Sequence, residues 1–233
     1  MATAAKPSEK KQELEELRKI KPHEERALRR VYAKLSNYAA RSKLEREIEK
    51  APNEAREAEL MEQLAAVNAQ KSKITTLDLS EMLRSLGRPS TKRYIWDMIW
   101  EADETISGSL DYDDIKVCFQ RNISDRSGLE PSKLYNLIQF MIFDSNENGR
   151  VSVDETMAFL HARYGRGELD IRLKSLFGQD MTETGGEGGE IDFLTYLESV
   201  NRAQIEMYEN SEQGQAALAK SGKVPTPAPT AKK

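Results

Sequence analysis

Asp144-Ser145-Asn146-Glu147-Asn148-Gly149-Arg150-Val151-Ser152-Val153-Asp154-Glu155 is the stretch on which the reading of this chain turns. Counted as twelve positions, it carries oxygen-bearing side chains at 1, 3, 5, 9 and 12, glycine at 6 and a β-branched apolar residue at 8. A hard cation such as Ca²⁺ takes about six or seven oxygens at about 2.3–2.6 Å, so a chain that holds one curls sharply round it. Gly149 permits the left-handed turn that the curl requires. Asp144, Asn146 and Asn148 offer side-chain oxygens, and Arg150 offers its backbone carbonyl. Ser152 would act directly or through water, and Glu155 would close the site with both carboxylate oxygens. The bland alternative is an Asn/Gly/Ser-rich surface turn. All of these diagnostic positions match between apolar helical flanks, so the stretch reads as a calcium loop.

Composition sets the frame for that loop. The chain has 233 residues, enough for one or two domains, with 32% charged residues and a mean hydropathy of -0.68. No apolar run approaches the ~20 residues of a membrane span, and none resembles a signal peptide. The single cysteine, Cys118, cannot form an internal disulfide, which suits a reducing, cytoplasmic setting. Charge is uneven. Residues 1–50 carry 14 Lys/Arg against 9 Asp/Glu, residues 51–209 carry 17 against 29, and residues 210–233 carry 4 against 1. An acidic body between basic ends suits cation binding in the middle and an acidic partner surface at the ends, although solvated helix surface gives the same pattern.

From Glu9 to Lys50 the residues are helix formers broken at Pro22. Leu14 and Leu17 share one face, and Leu28, Val31, Leu35 and Tyr38 follow at helical spacing. This amphipathic stripe needs a surface, either the body of this chain or another chain. A further helix runs from Glu54 to Val67. Then come Ile74-Thr-Thr, Met82-Leu-Arg-Ser-Leu-Gly87, Thr91 and Asp97-Met-Ile-Trp-Glu-Ala-Asp103.

These residues resemble, without a gap, the joint between the first two EF-hands of calmodulin. The resemblance covers about Glu54 to Arg202 and is most specific over 74–103 and 144–160. It implies an all-α fold of two EF-hand pairs, each joined by a short β-bridge through the eighth loop positions: Ile74 with Leu110, and Val151 with Ile191. A helical N-terminal arm and a disordered C-terminal tail complete the expectation. The expected organisation is a basic arm at 1–50, a first lobe at 51–122, a linker at 123–132, a second lobe at 133–209 and a tail at 210–233.

Carrying ligand roles over residue by residue separates the four loops. The first, near Asn68 to Asp78, puts Gln70 or Lys71 and Lys73 where ligands should stand and is expected to be metal-free. The second keeps Asp103, Ser107, Gly108 and Asp111, but Asp114 replaces the closing Glu and is one methylene shorter, which leaves at most a weak site. The fourth is expanded through Gly185–Gly189, has Thr195 where Glu should close, and is expected not to bind. One Ca²⁺ site remains, formed by Asp144, Asn146, Asn148, Arg150, Ser152 and Glu155.

Three function classes follow. In the first, the chain is a calcium-binding adaptor or structural subunit that docks on an amphipathic partner helix. Resemblance to such proteins implies a cytoskeletal or axonemal (cilium or flagellum) setting, with the basic ends anchored on an acidic surface such as tubulin's. In the second, it is a calcium sensor that exposes a groove lined by Phe140, Met141, Met157, Phe159 and Phe177. The third, an enzyme, is not expected. His23 and His161 are the only histidines and lie in no catalytic spacing, and no phosphate loop or nucleophile elbow occurs. The basic arm lacks the interleaved aromatics that would favour a nucleic-acid partner.

Overall fold

Helix signals and apolar stripes decide most of the architecture. The structure, a computed structural model, describes residues 19–70, 72–125, 127–178 and 189–210. Pro22 opens α1 (Pro22–Leu35) at a position where no intrahelical N–H is needed, and Glu24 reaches back to accept from the Lys21 N–H at 2.8 Å. The chain turns at Asn37, in the left-handed region at φ 58°, into α2 (Tyr38–Glu49). α3 (Glu54–Ala69) starts on an Asn53 side chain that accepts from the Arg56 N–H.

α4 (Thr76–Ser85) and α5 (Lys92–Trp100) follow, begun by Thr75 and Thr91, and then α6 (Tyr112–Ser124), begun by Asp111. The second half contains α7 (Lys133–Phe143), β1 (Arg150–Ser152), α8 (Val153–Tyr164), α9 (Arg166–Phe177), β2 (Glu190–Asp192) and α10 (Phe193–Asn210).

The fold is all-α apart from two small β contacts. Ile74 and Leu110 form an isolated antiparallel bridge, with both backbone hydrogen bonds at 2.7 and 2.9 Å. β1 and β2 pair antiparallel with Val151 opposite Ile191. These are the two residue pairs expected from the eighth loop positions. Three of the four, Ile74, Val151 and Ile191, are β-branched, the type that suits a strand.

The N-terminal stripe finds its surface within this chain. Leu28, Val31 and Leu35 are 0–1% exposed, and α1 packs against α4, α6 and α7. Burying three such side chains contributes about 1.5–3 kcal/mol each before the cost of ordering the helix. The picture of residues 1–50 as an arm apart from the body therefore needs correction: α1 is part of the core. α2 buries no residue but packs on α3 and α4. Leu14 and Leu17 lie outside the described residues, as do residues 179–188, which hold all of the Gly185–Gly189 run but its last residue, and the tail from 211.

The linker also begins later than expected. α6 runs through Ser124 because Ile123 packs on the core. The chain then folds round Asp125, whose carboxylate accepts from Ser127 N–H at 2.7 Å and Glu130 N–H at 3.2 Å. Ser132 gives α7 no side-chain cap, and Glu101 supplies one from across the fold, accepting from the Leu134 N–H at 2.8 Å. Beyond it, Phe140, Phe143, Phe193 and Tyr196 form an aromatic core with ring centroids 5.0–6.3 Å apart. Cys118 of α6 is fully buried in the core, with a free thiol.

Candidate metal centre

The loop from Asp144 is wound by its own first residue. Asp144 follows the last turn of α7, and its carboxylate accepts from the N–H of Asn148 and of Gly149, both at 3.0 Å. Two left-handed residues make that winding possible, Glu147 at φ 62° and Gly149 at φ 78°. Asn146 Oδ1 accepts from Asn148 N–H at 2.9 Å, and Asn148 Oδ1 from Arg150 N–H at 2.8 Å. Arg150 then enters β1, its guanidinium pairing with Glu190 at 3.2 Å.

Ser152 begins α8, where it forms a reciprocal cap with Glu155. The Glu155 side chain joins the two ends of the loop. Its Oε2 accepts from the Ser152 N–H and Oγ, both at 3.0 Å. Its Oε1 crosses to accept from Ser145 N–H at 3.1 Å, Ser145 Oγ at 2.9 Å and Asn146 N–H at 3.2 Å.

Electrostatics distinguish the two carboxylates. Asp144 is 4% exposed, and burial lifts its carboxyl above the ordinary value, against the pull of the Gly149 N–H and of Lys34. Burial also works against the charged form of Glu155, but hydrogen bonds from Ser152, Ser145 and Asn146 outweigh it and hold its carboxyl below the ordinary value. Among the described residues, no three His, Cys, Asp or Glu side chains gather to hold a metal. The donor set is instead two carboxylates with amide, hydroxyl and carbonyl oxygens. Oxygen-only donors fit a hard cation, and a buried carboxylate wound into a loop fits one that needs a counter-charge. Calcium bound there would tie the start of α8 to the end of α7 through Asp144 and Glu155.

The loop from Asp103 repeats this geometry except at its close. Asp103 accepts from Ser107 N–H at 3.0 Å and Gly108 N–H at 2.6 Å. Ile106 and Gly108 are left-handed at φ 57° and 76°, at the same two loop positions as Glu147 and Gly149. Asp111 and Asp114 form the same reciprocal helix cap. But Asp114 goes no further than the Asp111 N–H, at 2.8 Å, whereas Glu155 crosses the loop. One methylene makes the difference. In addition Lys73 lies 3.5 Å from Asp111 and sets a positive charge beside a would-be ligand.

Residues 70–122 match the family model for an EF-hand domain pair. The matched EF-hand stretch holds the Ile74–Leu110 bridge, the Asp103–Asp114 loop and nearly all of α6, and it supports calcium binding in general. The Asp144 loop follows the matched stretch in the chain and shares its winding, its bridge position and its capping box. No helix among the described residues is long and apolar enough to cross a membrane.

The first loop is engaged by the N-terminal segment. Asp78, at its closing position, is 4% exposed. It accepts from Thr75 N–H at 2.9 Å and from Ala39 N–H of α2 at 3.0 Å. Tyr32 Oη donates to Ser72 O at 2.9 Å, and Asn37 Nδ2 to Val67 O at 3.3 Å.

The same segment also reaches the Asp144 loop. Arg30 donates to the carbonyls of Met141, Ile142 and Asp144 at 2.9, 3.1 and 3.0 Å, and Lys34 pairs with Glu147 at 3.0 Å. Sequence reasoning did not assign these contacts. Their only advance signal was that Arg30 and Lys34 sit four apart beside the apolar stripe.

Of the residues expected to line a groove, Phe140, Met141 and Phe177 are buried and Phe159 partly so, stacking edge-on against Phe143. Met157 is 39% exposed and turned outward.

Proposed function

We propose that the chain is a calcium-binding, calmodulin-like adaptor of two EF-hand pairs that holds its cation in the loop from Asp144. Asp144, Asn146, Asn148, Ser152 and Glu155 would supply side-chain oxygens and Arg150 its carbonyl. The single observation that carries this reading is the reach of Glu155 across the loop to Ser145 and Asn146. The closing residue is thereby set where one carboxylate can serve both ends of a cation site. The Asp103 loop, closed by the shorter Asp114, would be weak or empty at physiological calcium. The first loop, its closing acid committed to Ala39, would be metal-free.

An architectural role on a partner helix, in a cytoskeletal or axonemal assembly, is the reading favoured over a sensor or an enzyme. Its support is that α1, α2 and the first loop are locked together by hydrogen bonds needing no metal, from Tyr32 of α1 and from Ala39 of α2. His23 is packed edge-on against Phe159 at 5.3 Å, a structural placement. Affinity purification of the tagged chain with calcium and with chelator tests this role. A partner set indifferent to calcium is expected, and a set recovered only with calcium would favour the sensor reading.

A further inference from the structure

α1 occupies its seat as a bound helix occupies a groove. Three apolar side chains, Leu28, Val31 and Leu35, fill the seat, and polar contacts fix its ends. At the start, Glu24 pairs with Arg163 in full burial, and Lys21 Nζ donates to the α8 carbonyls of Ala162 and Arg163 at 3.1 and 2.7 Å. Toward the other end, Arg30 covers three carbonyls at the close of α7, the last being that of Asp144, the residue that heads the candidate cation loop. Arg30 and Lys34 both pair with Glu147 inside the loop, at 3.4 and 3.0 Å. Their side chains are only 32% and 24% exposed, so water screens them incompletely. A cleft of about 190 Å³ beside these contacts is lined by Arg30 and Lys34 of α1 and by Asp144, Glu147 and Gly149 of the loop.

We propose that α1 is an internal ligand whose hold is opposed by calcium: Arg30 and Lys34 occupy the negative field that the cation needs, so cation binding loosens α1. The proposal rests on the assignment of the calcium site to residues 144–155. Its sign follows from Coulomb's law. A divalent cation held by Asp144 would bind the residue whose carbonyl Arg30 already contacts, in the loop whose Glu147 pairs with Lys34, and like charges repel. Linkage makes the effect reciprocal: whatever factor α1 costs the cation in affinity, the cation costs α1 in docking. Apolar burial still anchors the helix, so calcium alone weakens the seat without emptying it.

The test combines calorimetric calcium titration of the full chain with hydrogen exchange of the amides of residues 25–35. Lys34→Gln removes one cation from the field without touching Leu28, Val31 or Leu35. It is expected to raise calcium affinity about three- to tenfold at low salt, an effect that shrinks as salt screens the charge. In the wild-type chain, saturating calcium is expected to speed exchange of those amides by a comparable factor, and in Glu155→Gln to leave it unchanged. Unaltered or weaker affinity in Lys34→Gln, or slower exchange with calcium, would overturn the proposal while leaving the site intact. A wild-type chain that takes up no calcium, or whose uptake survives Glu155→Gln, would overturn the site assignment itself.

Discussion

Glu155 and Asp114 differ by one methylene, and the structure shows what that methylene does. Both cap the helix that follows, but only Glu155 reaches across the loop with its second oxygen. Glu155→Asp should therefore keep the cap and lose the crossing, lowering calcium affinity at least tenfold in a calorimetric titration. Glu155→Gln should abolish binding at micromolar calcium, and with it the stabilisation of about 2.7 kcal/mol expected at a hundredfold excess over Kd. Its metal-free fold should also lose about 0.5–1 kcal/mol, because this carboxylate is spent on backbone N–H groups and is not simply solvated.

Cys118 gives a prediction in pH. Burial pushes its thiol up to about 12, against about 8.5 in an unfolded chain. Below about 8.5 both states carry the neutral thiol and the residue has no effect on stability. Above it the unfolded state ionises and the folded state does not, so stability falls as pH rises, by up to about 1.4 kcal/mol per unit. The difference in melting temperature between wild type and Cys118→Ala should show this slope above about pH 8.5, and a flat difference would contradict the burial.

At the scale of elements, α1 is where sequence and structure part company. The period of Leu28, Val31 and Leu35 showed that one face had to be covered, and it could not show by what. A stripe specifies apolar area, not address. The hydrogen bonds that give the address, from Arg30, Tyr32 and Lys21, come from polar side chains that look like solvated surface in a linear reading.

The buried Glu24–Arg163 pair shows most clearly that α1 belongs to the body, at 0% and 3% side-chain exposure. Removing one partner of such a pair strands the other charge. Glu24→Ala should cost about 3–5 kcal/mol in denaturant unfolding, and Glu24→Leu with Arg163→Met together should cost clearly less. Equal losses in the single and double variants would mean that the pair is not buried as described. Leu28→Ala should cost about 2–5 kcal/mol by the cavity it leaves.

For the whole molecule, the frame was legible because it rests on position eight of each loop. The resemblance to calmodulin assigned Ile74, Leu110, Val151 and Ile191 to those positions, and they pair as it implied. The Asp144 loop was legible because its donors are contiguous in sequence. Less legible were the links between distant segments, such as Asp78 with Ala39 and Glu101 with Leu134, where a carboxylate caps a helix from another part of the chain. Nothing local distinguishes such a carboxylate from a solvated one.

These links join the N-terminal segment, the EF-hand pair at 70–122 and the second half into one packed body. That body's proposed function depends on one cation held in one loop. A calorimetric calcium titration of the full chain, run beside Glu155→Gln and Asp103→Asn, tests it most directly. One equivalent with a Hill coefficient near one, lost in Glu155→Gln and kept in Asp103→Asn, is the predicted result. Two equivalents, or binding that survives Glu155→Gln and disappears in Asp103→Asn, would contradict it.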